Sequence, residues 1–280
     1  MPISLKTVEF YITNVCNLTC RGCNRFNNYN FKGHQKWVDH AQEYELWSQQ
    51  LDIEQITIIG GEPTLNPDLE LFASNLRRLW PNSEIMIQTN GTYIKPQFSE
   101  FWNKYNVGFA ISLHDINTAE KIIQDWKKLF GENFDVFLKG FVFHQASIVK
   151  KNEYLTLHSN DITRAFDCCD MKYCHTMFAG KLHKCPMTAI IPEFYKQVGM
   201  ELNDRQKSLM YEYQALEATC TQDQLNNFIV SLNSPIKQCE FCPDTTIWNT
   251  ALGPSKVDVL PHSFDSITVQ EIPFYKKLLT

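Results

Sequence analysis

Short apolar segments alternate with amphipathic segments through the first half of the chain. In residues 7–13, Val8, Phe10 and Ile12 occupy every second position, which is the period of a strand with one buried face. Four further apolar runs are also predicted to be strands, at residues 56–59, 85–87, 107–113 and 136–143. Helical periodicity predicts helices over residues 41–50, 67–80 and 117–130, the last with Asn117 as its N-cap. The pattern is therefore a repeated βα unit.

Nearly all-apolar strands separated by amphipathic helices favour a parallel sheet covered by helices, either doubly wound or curved into a barrel. Polar and glycine residues follow the first four strands. In (β/α) barrels the active site is built from the loops at the C-terminal ends of the strands. The expected fold class is therefore α/β, with a partial barrel whose functional site lies at that end.

The second half of the chain has a different pattern. A hairpin is predicted over residues 176–184, around a turn at Ala179 and Gly180. Two helices are predicted after it, and one begins at Thr221 with a capping box formed by Thr221 and Gln224. We therefore expect two domains, a barrel over residues 1–159 and a smaller α+β domain over residues 160–280.

Composition places the chain among folded proteins, because 44% of its 280 residues are hydrophobic and its net charge is −5. The start has no apolar signal core and no run approaches the length of a membrane span, so we expect a cytoplasmic protein without a membrane partner. The net acidity disfavours a nucleic-acid polymer as partner, since phosphate binding needs clustered Lys and Arg. In a reducing compartment, the ten cysteines indicate metal ligands or catalytic groups rather than disulfides.

The first cysteines, Cys16, Cys20 and Cys23, have the spacing C-x3-C-x2-C. A helix would place them on one face, but the residues between them are poor helix formers, so a loop is predicted. A zinc site needs a fourth protein ligand, and His34 and His40 complete no familiar zinc spacing. Three thiolates suit a [4Fe–4S] cluster whose fourth iron is open to another ligand.

With this spacing after the first strand, and Gly60-Gly61-Glu62-Pro63 after the second, the chain resembles the radical S-adenosylmethionine (SAM) superfamily over residues 5–150. The resemblance implies a partial (β/α)6 TIM-like barrel. It implies that Cys16, Cys20 and Cys23 hold a [4Fe–4S] cluster and that SAM chelates its open iron. An electron from a donor such as flavodoxin or ferredoxin would then cleave SAM to a 5'-deoxyadenosyl radical, which abstracts hydrogen from the substrate.

The resemblance also implies SAM contacts after the second, third and fourth strands, at Gly60, Gly61, Glu62, Pro63, Thr89, Asn90 and Ser112. The two glycines carry no side chain that would block the close approach of the ligand. Pro63 is expected to hold Glu62 extended, so that Glu62 and the neighbouring backbone accept from the SAM ammonium. Thr89, Asn90 and Ser112 stand where the superfamily places polar contacts to the ribose or carboxylate of SAM.

A second group of cysteines lies in the second half of the chain. Cys174 and Cys185 flank the predicted turn, and Cys239 and Cys242 form a later C-x2-C pair. This pattern resembles the Twitch form of the SPASM domain, which implies a second, auxiliary [4Fe–4S] cluster. A structural zinc site of four cysteines is the alternative. Three cysteines are left unassigned: Cys168, Cys169 and Cys220.

Four protein ligands leave an auxiliary cluster no open iron, so its expected task is electron transfer. The sequence therefore predicts an oxidoreductase-like radical SAM enzyme that oxidises a small polar substrate. Alternatives are a peptide maturase, a nucleotide-modifying enzyme, or a non-catalytic zinc or iron–sulfur binding module. Candidate substrate-side groups are expected near the mouth of the barrel, but no general base is assigned: His114, Asp115, Lys139 and His144.

Overall fold

The computed structural model describes residues 2–20, 23–112, 116–131, 137–139, 147–151, 153–169 and 171–245. Its strands are β1 (Ile3–Thr13), β2 (Leu51–Gly60), β3 (Glu84–Thr89), β4 (Val107–Ser112), β5 (Phe137–Lys139), β6 (Ile148–Lys151), β7 (Tyr154–Leu157), β8 (Thr176–Phe178) and β9 (Lys181–His183). Its α-helices are α1 (Ala41–Gln50), α2 (Leu69–Leu79), α3 (Phe98–Tyr105), α4 (Ile116–Phe130), α5 (Ile162–Asp167), α6 (Pro186–Gln197), α7 (Asp204–Glu212) and α8 (Gln222–Ser231). None of the helices in these ranges is long and apolar enough to cross a bilayer.

A mainly parallel sheet organises the first half, which confirms the predicted α/β class. Its strand order is β5-β4-β3-β2-β1-β8-β9, and the pairs from β5 through β1 to β8 are all parallel. The pairing of β1 with β2 is the longest, running from Ile3 opposite Leu51 to Thr13 opposite Gly60. Because the strands are parallel, the loops after β1, β2, β3 and β4 emerge at one edge of the sheet.

The predicted elements of the first half are present, most of them with altered bounds, and residues 113, 136 and 140–143 of the predicted fourth and fifth strands lie outside the described residues. The helix α1 matches its prediction, whereas α4 begins at Ile116, so Asn117 lies inside the helix and the N-cap prediction was wrong. The sequence interpretation missed α3, with 8 residues, and the antiparallel pair β6 and β7, with 4 residues each. Segments this short repeat a helical or strand period only once or twice, which leaves little periodic signal.

The two faces of β1 pack against different parts of the chain. Val8, Phe10 and Ile12 belong to a core shared with buried residues of α1 and α2. Tyr11 belongs to a second core that includes residues of β8 and α6, and its ring meets Phe178 edge-on at 5.7 Å. We call the Tyr11 side the inner face of β1. The alternating positions of β1 therefore face two buried cores, rather than one core and the solvent.

The second half of the chain joins the same sheet. The predicted hairpin is confirmed, since β8 pairs antiparallel with β9 and parallel with β1. The predicted capping box of α8 is also confirmed, with Thr221 and Gln224 bonded reciprocally. In α6, Phe194 contacts three aromatic rings of the loop after the first cysteines: Phe26, Tyr29 and Phe31. The division into domains at residue 160 stays a prediction.

Candidate functional site

Backbone hydrogen bonds join the segment that leads from β1 to Cys16 with the end of β2. The backbone N–H of Gly61 donates to Thr13 O and that of Glu62 donates to Val15 O, both at 2.7 Å. A Cβ atom on Gly60 would overlap Thr13 O, and one on Gly61 would overlap Val15 O. The glycines are therefore required by the packing of the chain on itself. The sequence interpretation had explained them by the approach of a ligand alone.

The carboxylate of Glu62 is fully buried and accepts four hydrogen bonds. Its Oε1 accepts from Thr64 N at 3.1 Å, Thr64 Oγ1 at 2.6 Å and Thr89 Oγ1 at 2.7 Å, and its Oε2 accepts from Asn90 N at 2.7 Å. Burial raises the pKa of Glu62, and the four donors oppose that rise. The carboxylate thus ties the end of β2 to the end of β3. The backbone of Glu62 is extended before Pro63, as predicted.

Asn90 continues this network to the first cysteine loop. Its Nδ2 donates to Asn17 Oδ1 at 2.9 Å and to Cys16 Sγ at 3.8 Å. Its Oδ1 accepts from Thr92 N and Thr92 Oγ1, and Thr92 in turn accepts from Asn17 at 2.8 Å. The loop after β3 therefore holds the residue that follows Cys16. This chain of contacts could not be predicted from the sequence, because the two loops that it joins are far apart along the chain.

The thiols of Cys16, Cys20 and Cys23 lie close enough for their charges to act on one another. Burial raises the pKa of Cys16 to about 12, and the charges of Cys23 and Glu62 add to the rise, while N–H donation from Leu18 at 3.4 Å opposes it. Burial also raises the pKa values of Cys20 and Cys23. Within the described ranges, no three His, Cys, Asp or Glu side chains are placed to hold a single metal ion.

A cavity in the second half of the chain brings together four cysteines. Its lining includes Cys169, Cys185, Cys239 and Cys242. Burial raises the pKa of Cys242, and the charges of the other three cysteines add to the rise, which shows that the thiols are neighbours. The sequence predicted Cys174 as a ligand together with Cys185, Cys239 and Cys242, but Cys174 is not part of this lining. The charge of Cys174 acts instead on Arg25.

Cys169 was left unassigned by the sequence interpretation. The helix α5 ends at Asp167, and two cysteines follow it. The Cys168 thiol donates to Asp244 O at 3.3 Å, whereas Cys169 lines the cavity. Adjacent cysteines after a helix end were the available signal, but the sequence does not tell which of them turns inward.

Lys184 is a buried cation at the same cavity, and it too was missed. It is 3% exposed, and its Nζ donates to Ser231 O and Leu232 O at 2.7 Å each, at the end of α8. Burial lowers its pKa, and the charges of neighbouring cysteines oppose the fall. The ammonium therefore caps a helix and lies near three of the four cysteines, Cys169, Cys185 and Cys239.

A model of the Radical SAM superfamily matches residues 10–158, over half of the chain. The chain belongs to the radical SAM superfamily. Membership implies a radical SAM enzyme that uses SAM and a [4Fe–4S] cluster.

Curated relatives of this radical SAM chain are proteins named GTP 3',8-cyclase. The one from Aquifex aeolicus (strain VF5) is 26% identical over 156 residues, which cover 52% of this chain and 48% of that protein. The one from Nautilia profundicola (strain ATCC BAA-1463 / DSM 18972 / AmH) is 29% identical over 90 residues, 31% of this chain and 28% of that protein. The chain spans about half the length, or less, of the curated relatives that it matches.

Among solved structures, the chain is similar to BtrN in complex with AdoMet and 2-DOIA. The similarity covers 90% of this chain and 100% of that chain, with a TM-score of 0.53 at 15% sequence identity. At this identity the likeness shows the fold alone. It agrees with the radical SAM α/β architecture built from the parallel strands described above.

The first cysteine loop fits the cluster that the radical SAM superfamily uses. Three thiols from one loop can ligate three irons and leave the fourth open. Burial raises the pKa values of all three thiols, the charge of Arg25 opposes that rise at Cys23, and bound iron favours the thiolate that ligation needs. The three cysteine ligands and the SAM contacts stay predictions.

The remaining predicted residues lie around the same edge of the sheet. Ser112 ends β4 and is 7% exposed, and Thr89 ends β3 with its hydroxyl bonded to Glu62. The candidate substrate-side residues His114, Asp115 and His144 lie outside the described residues, as does the side chain of Lys139.

Proposed function

We propose that this protein is a radical SAM oxidase of a small polar substrate, with a second [4Fe–4S] cluster that accepts the electron of the substrate radical. The observation that carries the proposal is the group of four cysteines around one cavity, Cys169, Cys185, Cys239 and Cys242. When bound, the first cluster and SAM supply a 5'-deoxyadenosyl radical, and the second cluster supplies a one-electron acceptor.

The proposed reaction balances as a two-electron oxidation. A C–H hydrogen leaves the substrate as an atom and forms 5'-deoxyadenosine. The substrate radical then loses one electron and one proton, which gives a closed-shell product. Four thiolate ligands fill every iron of a cluster, so the second site suits electron transfer better than substrate binding. The external electron donor, such as flavodoxin or ferredoxin, is part of the proposal.

The surroundings of the cavity that the four cysteines line suit a buried, charged iron–sulfur cluster. Lys184 places a positive charge beside thiolates that would otherwise repel one another. Met171, Met187 and Met210 also line the cavity and keep its walls apolar. A low-polarity site with one compensating cation suits a cofactor that must change its charge by one electron without exposure to water.

Two alternatives make different predictions for the same residues. Four cysteines are also the ligand set of a structural zinc ion, which would carry no electron, although no three of the described side chains are placed to hold a single ion. The similarity to proteins named GTP 3',8-cyclase favours a second candidate function, the cyclisation of GTP or a related nucleotide, in which a two-electron oxidation is not required.

Metal analysis after anaerobic reconstitution tests the proposal. We expect about eight irons per chain in two [4Fe–4S] clusters and about four in a Cys239→Ala, Cys242→Ala double variant. Both proteins should release 5'-deoxyadenosine from SAM with dithionite. Cys220→Ala is the matched control, because its thiol contacts Gln50 at 3.6 Å, outside both groups. Zinc in the second site would contradict the electron-transfer role, and a cyclised product from added GTP would establish the second candidate.

A further inference from the structure

A buried polar cluster on the inner face of β1 contains two donors without an acceptor. Arg25 Nη2 donates to Glu9 Oε2 at 2.8 Å, and Arg25 Cζ lies 5.6 Å from the centre of the Tyr11 ring. Arg25 is 8% exposed and Tyr11 is 1% exposed. Among the described residues, no atom accepts from Tyr11 Oη or from Arg25 Nη1.

Two orphaned donors side by side indicate a missing acceptor. A buried donor without a partner costs its full desolvation, and buried polar groups in native proteins are almost always paired. Glu9 already occupies the other arm of the guanidinium, so the free arm and the phenol both need the same kind of partner. A guanidinium beside a phenol suits an acceptor that carries negative charge.

The position of this pair points to the first cysteine loop. Arg25 stands two residues after Cys23, in a turn where Phe26 N donates to Cys23 O at 3.1 Å. Burial raises the pKa of the Tyr11 hydroxyl, the charge of Arg25 opposes the rise, and the charges of Cys23 and Cys16 add to it. A cluster held by these cysteines would bring buried, negatively charged sulfur to the two donors.

We propose that Tyr11 and Arg25 donate hydrogen bonds to sulfur atoms of the first cluster and make it easier to reduce. The proposal rests on Cys16, Cys20 and Cys23 as the ligands of that cluster. Hydrogen bonds to sulfur and a nearby positive charge stabilise the extra electron of the reduced cluster, which raises its reduction potential. Tyr11 and Arg25 are thus tuning residues that touch the cluster but not the substrate.

The test is the reduction potential of the first cluster, measured by a redox titration followed by electron paramagnetic resonance. It is carried out without SAM on the reconstituted full chain, in the Cys239→Ala, Cys242→Ala background so that one signal remains. We expect Tyr11→Phe to reduce the equilibrium constant for reduction at least threefold. Arg25→Gln should reduce it about tenfold, which is about 59 mV for one electron.

A third variant changes the sign of the effect. Glu9→Gln removes the negative partner of Arg25 and leaves its positive charge uncompensated, so the cluster should become easier to reduce. A merely structural role of the three residues would not move the potential in opposite directions. Tyr44→Phe is the matched control, because Tyr44 is also buried but bonds to the backbone of Gly180, and no cysteine charge reaches it.

The iron content separates the possible failures. Full iron with an unchanged potential in Tyr11→Phe and Arg25→Gln overturns the tuning proposal and leaves the function intact. An effect that appears only when SAM is added also overturns it, since the donors would then serve the SAM carboxylate. If Cys16→Ala retains full iron, the ligand assignment fails first, together with the proposed function.

Discussion

Glu62 accepts the backbone N–H of Asn90 at 2.7 Å, and this one bond joins the loop after β2 to the loop after β3. Asn90 in turn donates to Cys16 Sγ at 3.8 Å. The Glu62 carboxylate, expected from the sequence to take the SAM ammonium, is thus engaged by four donors of its own chain. Its first role in the structure is to fix the loops that surround the first cysteines.

We therefore predict that Glu62→Gln destabilises the protein itself. An amide NH2 in place of one carboxylate oxygen would face an N–H or O–H donor, which leaves a buried group unpaired. The expected loss is about 1–3 kcal/mol in the free energy of unfolding, measured by denaturant titration without SAM. Glu54→Gln is the control, because Glu54 is exposed on β2, the strand that precedes Glu62. Equal stability of the two variants would contradict the structural role.

Gly61→Ala should displace the first cysteine loop. The added Cβ would overlap Val15 O and approach Asn27 Nδ2 at 2.7 Å, directly before Cys16. We expect less iron in the first cluster after reconstitution, with the second cluster unaffected. Gly131→Ala is a useful control, because its left-handed backbone costs about 1–2 kcal/mol for a non-glycine residue but nothing lies within 4 Å. Full iron in Gly61→Ala would show that the loop adapts.

The first site was predictable from sequence to the extent that its residues are close along the chain. Cys16, Cys20 and Cys23 lie in one loop, so their spacing alone indicated a shared metal centre. The contacts of Glu62 with Thr89 and Asn90 were not predictable, because these residues stand at the end of the next strand and their position depends on sheet register. The choice of Cys169 depends on how the chain leaves α5, which no periodicity encodes.

The next prediction separates Cys169 from Cys174. Only Cys169 lines the cavity with the other three cysteines, so Cys169→Ala should remove the second cluster, which holds about four irons. Cys174→Ala should retain it. The measurement is iron and acid-labile sulfide per chain after anaerobic reconstitution. The reverse result would restore the assignment made from spacing.

Lys184→Met should make the second cluster harder to reduce. The ammonium of Lys184 lies beside Cys185 and Cys239 and would stabilise the extra electron of the reduced cluster. The substitution keeps a long apolar side chain but removes this positive charge. Lys181→Met is the control at the start of β9, the strand that ends just before Lys184, because Lys181 is exposed and pairs with Glu217. A redox titration should show a lower potential for Lys184→Met alone. Equal potentials would limit Lys184 to capping α8.

The last prediction concerns His183, a buried histidine on β9 whose ring stacks on Tyr213 at 5.8 Å. Burial lowers its pKa to about 3, and the positive charge of Lys181 adds to the fall. The unfolded chain binds this proton near pH 6.5, so between these pH values the unfolded state holds more protons than the folded state. The free energy of unfolding should therefore fall as the pH falls from 6.5 toward 3.

His183→Gln removes this contribution, which is about 1.4 kcal/mol per pH unit at most. Urea titrations of the metal-free protein at pH 6.5 and pH 4.5 should show a smaller loss of stability in the variant than in the wild type. His34→Gln is the matched control. Burial also lowers the pKa of His34, but this residue is largely exposed. The loss of stability in His34→Gln should therefore be closer to that of the wild type. Identical losses in all three proteins would mean that His183 gains its proton without unfolding the hairpin.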